Sequence, residues 1–145
     1  MRLVDFMLCD DIRFEQYNKM SLMGIYNEAL HVEAEDLDKI KWPIGVKLGI
    51  YIRLMREQDD VLNKCAKYLF SLTVRKDGKV SEELAKAEGE CSPVDEASPY
   101  ISLPLVLPPL AITGPCKLMF EFKFGDATLA TPTFEIRTRR KQPTN

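Results

Sequence analysis

The chain is poor in the groups that most often carry chemistry. It holds a single histidine, His31, so it cannot build a multi-histidine metal centre. No serine or cysteine elbow accompanies that histidine, so a general-base role has no nucleophile to serve. The seven glycines are scattered, and none fall in the GxGxxG or GxxxxGK spacings that wrap a phosphate. The four cysteines, Cys9, Cys65, Cys91 and Cys116, stand too far apart for a CxxC pair, which removes zinc ribbons and thioredoxin-type motifs. Charge of one sign is also missing. The net is −2, from 20 basic and 22 acidic residues, so there is no basic excess to expect of a nucleic-acid binder, nor an attraction to anionic membranes. No apolar run reaches the length of a membrane span. The opening M-R-L-V-D-F-M-L-C-D-D lacks the length and small-residue cleavage site of a signal peptide. A cytoplasmic, reduced setting with free thiols is the expectation, though spacing alone leaves two disulfides open.

What the chain does have is a two-residue rhythm. In K-L-M-F-E-F-K-F, Leu118, Phe120, Phe122 and Phe124 take alternate positions, with Lys117, Glu121 and Lys123 between them. A period of two puts the first set on one face of a strand and the second on the other. Gly125-Asp126 suits a hairpin corner, because glycine takes positive φ without a Cβ clash. After it, Phe134 and Ile136 alternate with Thr133, Glu135 and Arg137. Burying each large apolar side chain is worth roughly 1.5–3 kcal/mol, so this face demands a second layer.

Other stretches repeat the pattern. Leu3–Cys9 and Met20–Tyr26 read as the strands of an opening hairpin, joined through Ile12–Lys19 with its turn at Asn18-Lys19, and Gly24 marks a bulge or a close backbone approach. Ala29–Val32 reads as a short strand, and Glu33–Lys41 as an acidic loop with one helical turn. Trp42-Pro43 leads into the alternation of Val46, Leu48, Ile50, Ile52 and Leu54. Tyr68, Phe70, Leu72 and Val74 alternate again, before an Asp77-Gly78 turn. Ser81–Glu88 reads as a helix of about two turns, capped by Ser81 and stopped by Gly89. Ile101–Leu110 is apolar but carries Pro104, Pro108 and Pro109, which fits an edge strand, since proline cannot donate to a ladder.

The expectation is an all-β protein. It is a two-sheet antiparallel β-sandwich, immunoglobulin-like, of about seven strands with one short helix. At 145 residues it forms one domain, residues 1–138, followed by a flexible basic tail, residues 139–145.

Candidate sites are few. Asp10, Asp11 and Glu15 are the first-guess ligands for calcium or a small molecule, because sandwich-end loops can gather carboxylates. Glu33, Glu35, Asp36 and Asp38 could add to them, and Asp59-Asp60 reads as solvated turn charge. Cys9 and Cys116 read as small buried hydrophobes. Trp42, Tyr51 and Tyr100 read as core or rim packing. No catalytic residue and no cofactor is implied. Met20, Leu22 and Met23 mark an edge suited to docking, since an open sandwich has strands whose unpaired N–H and C=O groups can accept another chain. The functional expectation is a non-enzymatic module that binds a protein partner or itself as a homodimer, with the calcium or ligand module as the alternative.

Three segments, V-D-F-M-L-C-D-D (4–11) with M-S-L-M-G-I-Y (20–26), K-Y-L-F-S-L-T-V-R-K-D-G-K (67–79) and L-V-L-P-P-L-A-I-T-G-P-C-K-L-M-F-E-F (105–122), stand in an order that resembles a family of small uncharacterised bacterial proteins, classed as a domain of unknown function. The resemblance implies a single β-sandwich of bacterial or phage source and carries over no catalytic or binding residue.

Overall fold

A computed structural model describes residues 1–56, 66–93 and 97–142. It contains twelve strands among these residues: β1 (Arg2–Phe14), β2 (Met20–Tyr26), β3 (Ala29–Ala34), β4 (Ile44–Val46), β5 (Gly49–Met55), β6 (Ala66–Lys76), β7 (Lys79–Cys91), β8 (Tyr100–Val106), β9 (Leu110–Ile112), β10 (Cys116–Phe124), β11 (Ala127–Leu129) and β12 (Phe134–Arg140). The only helical pieces among them are two 3₁₀ turns, Gln16–Asn18 and Leu37–Lys39. One sheet has the order β2-β1-β5-β8; a larger one runs β3-β12-β10-β6-β7 with β11 beside β10; β4 and β9 form a small third sheet. The protein is therefore all-β with several sheets, consistent with a β-sandwich.

The Phe-rich stretch forms the centre of the larger sheet. Leu118, Phe120, Phe122 and Phe124 are all buried, and so are Phe134 and Ile136. Phe122 stacks beside Phe70 at 4.7 Å between ring centroids. Ile50, Ile52, Leu54, Ile101 and Leu103 from the smaller sheet join the same core. Two ring contacts tie the sheets together: Phe6 of β1 on Phe120 of β10, and Tyr26 of β2 on Phe134 of β12, each at 5.3 Å. The return from β10 comes in two pieces. β11 pairs with Phe122–Phe124, and β12 pairs with Cys116–Leu118. Between them the Thr131 hydroxyl donates to the Phe120 carbonyl at 2.6 Å, filling the gap that the strand break around Pro132 leaves.

Several expectations are corrected. The expected helix at Ser81–Glu88 lies within strand β7, which pairs antiparallel with β6 along its length. Its side chains alternate, Ala85, Ala87 and Gly89 half-buried against Lys86, Glu88 and Glu90 exposed. The small residues carry little hydropathy, so a strand beat in alanine and glycine is easily taken for helix propensity. Seven expected strands become twelve, partly because one expected strand, Val46–Leu54, divides at Leu48 into β4 and β5. The pairing is not wholly antiparallel either: β12 runs parallel to β3. Six paired strands with a parallel edge do not establish an immunoglobulin-like order. Arg139 and Arg140, expected in the tail 139–145, belong to β12 opposite Glu33 and Ala34, and Arg139 donates to the Glu33 carboxylate. The polar excursion around Asp59-Asp60 lies outside the described residues.

Candidate interaction surface

β1 is divided between two partners. Arg2–Cys9 pairs with β5, whereas Leu8–Phe14 pairs with β2. Only Leu8 and Cys9 are flanked on both sides, so the far half of β1 and most of β2 form a two-stranded ribbon that runs past the end of β5. Cys9 and Ile12 anchor its base. Both are buried, and both lie on Gly49, where any Cβ would come within 3.0 Å of the Cys9 Sγ and the Ile12 Cγ1. The ribbon's free end is apolar and exposed: Phe14 is 68% exposed and Tyr17 89%. Tyr17 holds a left-handed φ of 61°, and Asn18 follows at 56°. That region costs a residue with a bulky side chain about 1–2 kcal/mol.

The sequence-chosen residues all fall on this ribbon. Met20 and Leu22 are half-buried, and Met23 is exposed, as is Ile25 two residues on. β2 is the outermost strand of its sheet, so no strand among the described residues takes up its outer row of backbone groups. The three carboxylates go to separate partners. Asp10 accepts from the Tyr26 hydroxyl. Asp11 accepts from the Ile12 amide at 3.0 Å and faces Arg13 at 3.7 Å. Glu15 accepts from the Ser21 hydroxyl. Among the described residues no three of His, Cys, Asp and Glu gather where one metal ion could be held. Asp10 has a structural task. It lies over Gly24, whose φ of +63° interrupts the regular β1–β2 pairing. Burial, with the hydrogen bond and charge of Asp10, pushes the Tyr26 hydroxyl well above the ordinary tyrosine range.

The remaining candidates sit elsewhere. His31 is exposed on β3, opposite Arg137 of β12. Cys9, Cys91 and Cys116 form no disulfide with one another, and burial raises the Cys9 and Cys116 thiols. Raised thiols are poor nucleophiles at neutral pH. Trp42 packs against the core. The Tyr51 hydroxyl meets Ser102 at 3.1 Å, and the Tyr100 ring lies 4.1 Å under the Arg53 guanidinium. Tyr17 and Phe14 were missed in the sequence; the alternation Ile12–Phe14 was visible, but nothing local showed that β5 would stop short of it.

The four edge strands of the two larger sheets that are longer than the three-residue β11 differ in how they are protected. β7 carries Lys79, Glu82, Glu83, Lys86, Glu88 and Glu90, and its pairing with β6 shifts register twice. Charge and bulges both discourage a further strand. β3 bears Glu33, clamped by Arg139. β8 bears Pro104, which cannot extend a ladder. β2, M-S-L-M-G-I-Y, has neither a charged residue nor a proline.

No protein-family model matches the chain, and no curated protein matches it. No helix among the described residues is long and apolar enough to cross a membrane.

Proposed function

We propose that the protein is a non-enzymatic β-sandwich module that binds a protein partner, or a second copy of itself, through the β1–β2 ribbon. The observation that carries this reading is the contrast among the edges: of the edge strands longer than three residues among the described residues, β2 alone lacks charge and proline, and it lies on a ribbon whose tip displays Phe14 and Tyr17 to water. A two-stranded ribbon is marginal on its own in water. An added strand on β2 would supply backbone hydrogen bonds, while the aromatic tip would supply anchors of the kind that dominate protein interfaces. The left-handed backbone at Tyr17 supports the same reading, because strain of this sort persists most often where a side chain is being presented.

The test is sedimentation of the wild-type chain across a wide concentration range, alongside capture from lysate, each repeated with Met23→Lys and with Phe14→Ser. Association or capture that both substitutions abolish, while the fold is kept, is the expected result. A chain that stays monomeric at high concentration and retains nothing, or whose association ignores both substitutions, would remove the reading.

A further inference from the structure

The larger sheet carries a feature that the edge reading does not use. At the end where β6 turns into β7, a hollow of about 560 Å³ is lined by Arg75, Lys76, Lys117 and Arg137, with Asp77 and Glu135 as its only carboxylates among the described residues. Four cations converge there on a chain whose net charge is −2. Their placement is unfavourable as it stands. Arg75 and Lys117 face each other directly across the β6–β10 ladder, and like charges in that position repel. On its other side Arg75 is opposite Val80, which offers no counter-charge. Among the described residues no carboxylate pairs with Arg75.

Glu135 relieves the far side alone. It accepts from the Arg137 Nε at 2.6 Å and stands 3.8 Å from the Lys117 Nζ. The contact with Arg137, more than any other influence, holds its carboxyl below the usual range. The Lys76 ammonium is drawn to the Thr113 hydroxyl, to which it donates at 2.6 Å and which does not line the hollow. The hollow thus sets four cations against two carboxylates, and of these Glu135 is already engaged by Arg137 and Lys117.

We propose that this hollow binds a compact dianionic oxyanion, a phosphoryl or sulfate group. Arg75 would grip it through its planar fork, with Lys117, opposite it on β10, as a point charge beside it. A guanidinium matches two oxygens of such a group at once, which an ammonium cannot do. Glu135 is the competitor: it holds Lys117 and Arg137 for itself, and its negative charge opposes the arriving anion. The site is in the other sheet from β2, so it stands or falls independently of the interaction reading.

The experiment is a titration followed by backbone amide shifts, with sodium phosphate and sodium sulfate compared to sodium chloride at equal ionic strength. Phenyl phosphate in a parallel arm separates an esterified group from the free ion. Saturable shifts at Arg75, Gly78 and Lys117 with both oxyanions are expected. Arg75→Gln should weaken binding on the order of tenfold, the scale of one lost charge-assisted hydrogen bond. Glu135→Gln should tighten it, a gain that a purely structural role for Glu135 would not produce. Lys123→Gln, whose lysine faces Glu121 at 3.0 Å and does not line the hollow, should change nothing. Shifts that chloride reproduces, or that survive Arg75→Gln at full strength, overturn the proposal.

Discussion

Replacing Gly24 by alanine tests the join between ribbon and sheet. Two separate costs meet at that position. The first is conformational: φ is +63°, and an L side chain pays about 1–2 kcal/mol to occupy that region. The second is steric. An added Cβ would overlap the Asp10 carboxylate, with its Cγ only 2.9 Å away. Asp10 would have to swing aside and give up the hydrogen bond from Tyr26. At so exposed a site that bond is worth about 1 kcal/mol. Gly24→Ala should therefore cost about 2–3 kcal/mol. Asp10→Ala alone loses the hydrogen bond without the clash, for about 1 kcal/mol. In the double variant the carboxylate is gone and only the Cβ at position 10 stays, 3.2 Å from the added one, a contact that a small shift relieves, so the conformational cost and the lost bond remain, again about 2–3 kcal/mol. The two substitutions should thus fall short of additivity by about 1 kcal/mol, the signature of residues in contact. Urea unfolding of the four proteins, with unchanged dependence on denaturant, reads this out. A Gly24→Ala variant within about 0.5 kcal/mol of wild type, or strict additivity, would refute both the backbone argument and the Asp10 contact.

Three further outcomes follow from the same structure. Phe122→Ala, which empties a fully buried site against Phe70, should cost about 3–5 kcal/mol in denaturant unfolding; a cost below about 1 kcal/mol would mean that the two sheets do not share this core. Tyr26 should shape the alkaline limb of stability. Its hydroxyl is raised above the ordinary value of 10.0, so the unfolded chain loses that proton first. The associated stability is whole below about pH 10 and is lost as pH climbs toward the folded value. Tyr26→Phe should make that decline shallower, with Tyr68, also raised by burial, keeping part of it; an unchanged slope between pH 9 and 11 would be the contrary result. Met23→Lys, at a side chain that is already 42% exposed, should leave the unfolding midpoint within about 0.5 kcal/mol of wild type, which separates any loss of association from loss of fold.

The sequence made the core faces legible because they are written in large side chains. Phe120, Phe122, Phe124, Phe70, Leu72, Ile50 and Ile52 are buried where the two-residue beat places them. It failed where the beat is carried by small side chains, as at Ala85, Ala87 and Gly89. Gly89 is not a helix stop: the Tyr68 ring lies against it, with its hydroxyl 3.0 Å from where a Cβ would be. Pairings that join distant segments were also hidden. Nothing in Ala29–Ala34 announces a parallel partner more than a hundred residues later, yet Leu30 lies opposite Ile136. The carboxylates Asp10, Asp11 and Glu15 looked like a cluster because they are close in sequence. A strand separates what it numbers consecutively, turning Asp10 towards Tyr26 and Asp11 towards Arg13. The basic hollow is the reverse case. Arg75, Lys117 and Arg137 belong to three strands and meet only through register.

A strand that ends a sheet invites further pairing, and sequences that must stay alone spend charge, proline or bulges to refuse it. Three of the four long edge strands among the described residues are guarded in those ways, and the charged guards on β7 and β3 face outward, where packing asks nothing of them. Lys86 and Glu88 could be apolar without disturbing the core, because Ala85 and Ala87 do the half-buried packing there. The same freedom exists on β2. Met23 and Ile25 point outward, at 42% and 54% exposure, and a lysine at either position would meet nothing in the isolated chain. Apolar side chains at these positions, on the one edge without another guard, are hard to explain by the needs of the folded monomer alone. A surface strand to which another chain is added accounts for them, because the same methionine and isoleucine then lie beside a neighbour instead of water. The partner's contact should therefore reach from the tip along Met20–Tyr26, Ile25 included, since β2 keeps one register with β1 on both sides of Gly24. Slowed amide exchange on association that stops at Met23 would count against this.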